Sequence, residues 1–247
     1  MKRLRLLLLL LTIALETTAQ NGKKISFNAR AGLSIGAVTP VRIPASIRKI
    51  ESYNPGFLPS VEAGLDYRFS QKFGLATALR FEQKGMTTDA RVKAYYTTFN
   101  EAGSEGDQSV TGYFTGRVTT KIKNSYFTVP LHLTYHPDND FTLKAGGFIS
   151  VLLDARFSGH ARDGYIRHQT PIGEREDIDA ASYDFAWNVR RLNAGVEIGA
   201  DYRFSRHFFA SANLNYALSP LMDPEFQSIA FGMHNIYLNL GIGYRFH

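Results

Sequence analysis

Strict alternation of side-chain character constrains this chain more than any other feature. From Ile25 onward the odd positions read Ile25, Phe27, Ala29, Ala31, Leu33 and Ile35. The even positions read Ser26, Asn28, Arg30, Gly32, Ser34 and Gly36. One set is wholly apolar and the other is polar or glycine. Side chains on a strand point to opposite faces with a period of two, so the segment is a strand with two unlike faces. A sheet built from such strands must hide one face and show the other to its surroundings.

The pattern recurs along the chain. Val61, Ala63, Leu65, Tyr67 and Phe69 oppose Glu62, Gly64, Asp66 and Arg68. Phe73, Leu75, Leu79 and Phe81 oppose Gly74, Ala76, Arg80 and Glu82. Phe127, Val129, Leu131, Leu133 and Tyr135 oppose Thr128, Pro130, His132 and Thr134. Phe141 to Leu153 is a fifth run, more apolar on both faces and marked by Lys144 and Gly146-Gly147. Val196, Ile198, Ala200, Tyr202 and Phe204 oppose Glu197, Gly199, Asp201 and Arg203. Phe208 to Tyr216 and Ile236 to Phe246 complete a set of eight, the last with Arg245 on its polar face. The decapeptide Val61–Ser70 is echoed at Val196–Ser205, and more weakly at Leu238–Phe246. The spacing is irregular, so this is the same strand problem solved three times and not a solenoid repeat.

The connections alternate in length. Short turns are expected near Gln71-Lys72, His136–Asn139 and Ser205–His207. Long segments are expected at 38–56, 85–122, 158–185 and 217–233. This predicts an all-β fold: an eight-stranded antiparallel up-and-down barrel with both strand termini on one side. In a bacterial outer membrane the short turns are periplasmic and the four longer loops external. Tyr67, Phe69, Phe73, Tyr135, Phe141, Tyr202, Phe204, Phe208, Tyr244 and Phe246 all fall beside short turns or the C-terminus. In such a barrel they would form one aromatic girdle at the periplasmic interface.

Alternation alone does not say which face meets lipid. A soluble lipid-binding barrel turns its apolar face inward; a membrane barrel turns it outward. The polar faces carry Arg30, Glu62, Asp66, Arg68, Arg80, Glu82, Lys84, Glu197, Asp201, Arg203 and Arg245. In an eight-stranded barrel these would fill a closed interior as a mixed-sign charge network beside small glycines. Runs of six or seven outward apolar positions match a tilted membrane crossing of about 9–11 residues. The membrane reading is therefore preferred.

The first residues fit it. Lys2, Arg3 and Arg5 precede an apolar run, Leu6 to Leu15, and Thr17-Thr18-Ala19 supplies small residues before Gln20. This reads as a secretory signal peptide over residues 1–19, cleaved between Ala19 and Gln20, with the barrel domain over 20–247. The run is too short to span a bilayer as a helix, which takes roughly 20 residues. There is no cysteine, hence no disulfide framework or thiolate chemistry. The net charge of +6 is scattered and argues against nucleic-acid binding.

Several segments also resemble a known family. Ser125-Tyr126-Phe127-Thr128-Val129-Pro130-Leu131-His132-Leu133-Thr134-Tyr135 resembles the fourth-strand motif of the PorT-like outer-membrane β-barrel family. The following Leu143–Phe148 does too, as does Tyr183-Asp184-Phe185 ahead of Asn193–Glu197. The terminal Tyr244-Arg245-Phe246 is similar to the aromatic-ended signal read by the outer-membrane assembly machinery. His247 after the phenylalanine departs from that signal, and Arg190-Arg191 breaks the strand phase, which predicts a bulge or a loop edge. The resemblance implies fold and location, with outer-membrane lipid, lipopolysaccharide and the assembly machinery as partners. It does not imply an activity.

Chemistry-bearing residues each meet a simpler account. Glu62/Asp66/Arg68 and Glu197/Asp201/Arg203 share one strand face, where an ion-pair network explains them better than an acid pair. His132 is a lone inward histidine. His160 and His168 have no spaced partner ligand, so no metal is expected. Ser158-Gly159-His160 near a rim suggests a lipid-modifying enzyme, but no triad signature surrounds it. Asp138-Asn139-Asp140 is a polar turn before it is a calcium loop. Pro130 lacks a ladder donor and predicts a bulge or an interrupted pairing. Tyr95-Tyr96, Phe99, Tyr113 and Phe114 either present a binding surface or prolong strands with an outward external girdle. The expected function is a non-catalytic structural or interaction barrel, free of cofactors, whose segments 85–122 and 158–185 meet an external ligand. The alternatives are a rim enzyme acting on lipid or lipopolysaccharide and a soluble periplasmic lipid-binding barrel.

Overall fold

A computed structural model describes residues 25–101, 109–226, 228–229 and 231–246. The expected signal peptide and its Ala19–Gln20 cleavage point lie outside the described residues. Eleven strands follow in chain order. They are β1 (Ile25–Pro40), β2 (Ile47–Asn54), β3 (Leu58–Arg68), β4 (Phe73–Glu101), β5 (Ser109–Tyr135) and β6 (Phe141–Asp154). Then come β7 (Phe157–Arg167), β8 (Arg175–Asp184), β9 (Leu192–Arg203), β10 (Phe208–Ala217) and β11 (Met233–Phe246).

Eight of these close a ring of antiparallel ladders in the order β1, β3, β4, β5, β6, β9, β10, β11 and back to β1. The closing seam runs without a slip from Phe27↔Phe246 to Pro40↔Met233. Closure leaves no unpaired sheet edge around the ring. The three short connections lie at one end, with the start of β1 and the end of β11. Pro130 keeps its register with Phe148 on β6. On the β4 side the ladder skips from Thr77↔Leu131 to Arg80↔Thr128 without a shift, and the Thr77 hydroxyl donates to the Pro130 carbonyl at 2.8 Å. The missing N–H interrupts the pairing and produces no bulge. Arg190 and Arg191 form a loop edge: the Arg190 N–H donates to the Leu221 carbonyl, and the Arg191 carbonyl accepts from Leu152.

The far end corrects the sequence expectation. Segments 38–56, 85–122 and 158–185 are expected as loops, yet much of each is strand. The β4–β5 ladder continues to Asn100↔Ser109. β7 lies on β5, β8 on β7, and β8 returns to the tip of β4 at Asn100↔Ser182. β2 covers the other edge of β4. A small four-stranded ring, β4–β5–β7–β8, therefore rises from one side of the larger one. Of the four segments, only 217–233 stays irregular between its flanking strands, its described residues carrying one isolated bridge, Val189↔Met222.

The reason lies in a change of partner for the inner face. On β4 the inward residues run Arg80, Glu82, Lys84 and then Met86 and Val92. On β5 they run Thr134, His132, Thr128 and then Ile122, Val118 and Phe114. On β1, Arg30 and Ser34 give way to Val38. All of these are buried. Outside the polar stretch stand Leu79, Leu131, Ile149, Ile198 and Ile242, all exposed. Outside the apolar stretch stand the exposed charges Arg91, Lys93, Lys121 and Lys123. Apolar surface leaves water wherever it can, so this inversion marks where the medium around the strands changes.

One bulge sharpens the switch. Val92 pairs with Gly116 but Tyr95 with Phe114, so Lys93 and Ala94 share one partner position and the inward phase slips from even to odd residues. Ala94 takes a φ of 50°, and its N–H is caught by the Thr115 hydroxyl at 3.0 Å. The slip turns Thr97 and Phe99 inward. Phe99 meets Phe114 edge to face at 5.0 Å, both fully buried. Neither belongs to an outward external girdle. Tyr96 and Tyr113 do pair on the surface, at 5.3 Å.

Candidate functional site

The polar interior of the larger ring is assembled from residues far apart in sequence, each brought inward by strand phase. Arg80 sits at its centre and is 1% exposed. Its Nε donates to Glu62 at 2.6 Å, and its two terminal nitrogens grip the Glu197 carboxylate at 2.7 and 2.8 Å. The bidentate grip is the strongest geometry open to a guanidinium and a carboxylate. Glu62 also accepts from Arg30 at 2.6 Å, and Arg30 makes a short contact to the Ser211 hydroxyl. His132 Nε2 lies 3.2 Å from Glu197, off the direction of a hydrogen bond.

Toward the far end, Glu82 is satisfied by Thr128 at 2.7 Å, Asn239 at 3.0 Å and Lys84 at 3.1 Å. Lys84 is in turn enclosed by the rings of Phe148, Tyr126 and Tyr237, with centroids at 5.3, 5.5 and 5.8 Å. An ammonium over aromatic faces replaces part of its lost hydration.

Toward the turn end, Asp201 pairs with Lys144 at 2.8 Å, and Asp66 accepts from Asn28 at 2.8 Å. The other members of the expected network stand apart from Arg80. Arg68 meets His136 at 3.3 Å, and Arg245 lies over the Phe209 ring at 5.9 Å. Arg203 reaches Asp140 in the β5–β6 turn at 3.0 Å, partly in solvent. One participant was not among the residues expected in the network. Lys144 lies on the same polar face of its strand, and three-dimensional pairing shows that with Arg30, Arg80 and Lys84 it completes four buried cations against Glu62, Glu82, Glu197 and Asp201.

The ten expected girdle aromatics all lie at the turn end. Nine are exposed, and Tyr135 is half-buried. Register brings them into contact around the ring: Phe73 with Tyr135 at 5.2 Å, Phe141 with Tyr202 at 4.8 Å, and Phe208 with Tyr244 at 5.3 Å. Tyr244 continues to Phe246 at 5.1 Å.

Ser158 and His160 lie on β7 with His160 exposed, paired in register with Asp184 and Ser182. His168 contacts Glu176 at 2.8 Å on the hairpin surface. Asp138 accepts the N–H groups of Asp140 and Phe141 at 2.8 and 2.7 Å, the geometry of an Asx turn. Those two donors hold its carboxyl below the ordinary aspartate range. Among the described residues no group of three or more His, Asp or Glu is arranged to hold a metal.

Several solved structures are similar to the chain at low sequence identity. The attachment invasion locus protein Ail of Yersinia pestis is 13% identical, with 90% of this chain and 97% of that one covered at a TM-score of 0.38. The outer membrane protein OprG of Pseudomonas aeruginosa is 12% identical, covering 90% and 96% at a TM-score of 0.39. Neisserial surface protein A is 11% identical, covering 90% and 96% at a TM-score of 0.33. No curated protein matches the sequence. The family model for the outer membrane protein beta-barrel domain matches residues 18–223. A match over that much of the sequence, on a ring of strands with its apolar face outward, places the protein in the outer membrane: the chain belongs to the outer membrane protein beta-barrel domain family.

Proposed function

We propose that the protein is a closed, non-catalytic outer-membrane barrel that carries a folded β-structured extension on the cell surface and works through that extension as an interaction module. One observation carries this reading: the inward face changes from ion-paired to apolar at one level, between Lys84 and Met86. Below that level the ring is built for lipid outside and charge inside; above it the strands are built for water outside. The short turns are then periplasmic, the ten aromatics form the periplasmic girdle, and β2, β7, β8 and the tips of β4 and β5 are external. The motif likeness to the PorT-like branch agrees with this topology and adds no activity to it.

The interior is read as closed because Arg80, Glu82, Lys84 and three aromatic rings occupy its cross-section, as expected where eight strands leave room only for side chains. The extension supplies the contact surface. Trp187, the single tryptophan, is 94% exposed on it. Exposed aromatics of this kind serve as anchors at interfaces.

Two measurements test the reading. The full chain reconstituted in planar bilayers should show no steady open-state conductance; a stable ohmic channel would overturn the closed interior. A photoreactive amino acid at Trp187 in living cells should give adducts to a surface protein or glycan, and the barrel should still migrate faster on an unheated gel. Adducts to membrane lipid alone would overturn the interaction role.

A further inference from the structure

The extension encloses a cavity of about 270 Å³ just above the aromatic cage of Lys84. Its wall comes from the end of β1, from β2, β4, β5 and β8, and from the segment before β11. No charged side chain lines it. Of the hydroxyls on its lining residues, that of Tyr183 is engaged with Thr120 at 2.7 Å and that of Tyr53 with the Gly36 carbonyl at 2.6 Å. The lining is mostly aliphatic and aromatic, so the cavity offers few polar partners to a water, which needs two to four of them.

The mouth is apolar as well. Ile43, Ile50 and Tyr53 line the cavity and are also exposed. Val41 and Phe57, the residues flanking β2 where the chain leaves β1 and enters β3, are 68% and 65% exposed. They continue the lipid-facing surface of those two strands up to the rim. Exposed apolar residues therefore stand both at the adjoining ends of the barrel strands and at the mouth of an apolar cavity.

We infer that this cavity is a binding site for a single aliphatic chain. A dry protein cavity of roughly 150 Å³ takes up one benzene, so a space of 270 Å³ holds about ten carbons. Apolar residues at and beside the mouth suit a flexible chain entering end-on better than a rigid ring system. The chain is either that of a free fatty acid or the end of an acyl group belonging to a membrane lipid. The chemistry of the site is the same in both cases.

Decanoate is the probe. The full-length protein is prepared in lipid-free amphipol and in phospholipid nanodiscs, and each is titrated by isothermal calorimetry. Saturable one-to-one binding in both preparations identifies a free-acid site. Binding in amphipol and none in nanodiscs identifies a site filled by lipid chains. Both results support the inference. Val118 and Ala90 face each other across the β4–β5 ladder and line the cavity. Val118→Trp and Ala90→Phe, each checked for the heat-dependent gel shift, should weaken decanoate binding at least tenfold. Absence of saturable binding in both preparations overturns the inference. So does unchanged affinity in a correctly folded filling variant.

Discussion

Arg80→Met is the sharpest test of how the barrel interior is held together. Arg80 makes three charge-assisted hydrogen bonds, to Glu62 and to both oxygens of Glu197, from a site almost without solvent. Methionine matches much of its length but leaves carboxylates behind. Breaking a buried pair by removing one partner costs about 3–5 kcal/mol, because the remaining charge is buried without compensation. Here the carboxylates keep something: Glu62 retains Arg30 at 2.6 Å, and Glu197 retains the neighbouring His132 at 3.2 Å. The lower end, about 3 kcal/mol, is therefore expected. The double variant Arg80→Met/Glu197→Leu removes the orphaned charge with its partner and should recover most of that loss, leaving about 1 kcal/mol. Urea titration in phospholipid vesicles, read by the fraction of faster-migrating folded band on unheated gels, gives both numbers. The reasoning is refuted if the single variant lies within 1 kcal/mol of the parent, or if the two substitutions add.

Leu79 is 56% exposed on the outer face of β4, and Leu79→Arg should cost about 2–4 kcal/mol in the same vesicle assay if it meets lipid near the midplane; an unchanged midpoint would place this face elsewhere. Phe114→Ala should remove about 3–5 kcal/mol from the extension alone, seen as proteolytic nicking of β7 and β8 while the barrel keeps its gel shift; simultaneous loss of the shift would show that ring and extension fold as one unit. Asp138 has its carboxyl held below the ordinary 3.8 by two backbone donors. Its stabilising contribution is thus full above that value and lost as pH falls through the lower folded one. The amide resonances of Asp140 and Phe141 should titrate together with a midpoint below 3.8, and a midpoint at or above it would contradict the turn geometry.

The ring strands were legible because lipid and lumen make opposite demands on alternate residues. Ile25 to Gly36 or Phe127 to Tyr135 shows that contrast without a break. Above the ring the contrast fades. On β5 the inward Phe114, Val118 and Ile122 are interleaved with Gly112, Gly116 and Thr120, and the outward face carries Thr111, Thr115 and Thr119 among its charges. The apolar signal then recurs every fourth residue and looks like neither strand nor helix. On β4 the bulge at Ala94 moves the phase by one, so Val92 and Phe99 seem to face opposite ways when both are buried. The candidate interior was legible as a set of residues and not as a set of pairs. Nothing in the chain links Arg80 to Glu197, 117 positions away, until ring closure brings β4 opposite β9 across the lumen. Lys84 needed the same closure, since its cage draws Tyr126, Phe148 and Tyr237 from three different strands.

The boundary between Lys84 and Met86 has a mechanical consequence. On β4 and β5 the inward surface reverses character at one height, and the outward surface reverses there too. Sliding the barrel along the bilayer normal by two residues would bare Leu and Ile to water on one side and sink Lys121 and Lys123 toward lipid on the other. The molecule therefore has one depth at which it can sit. In a membrane thicker or thinner than its apolar band, the surrounding lipids must stretch or compress to meet it, because the protein has no freedom to shift.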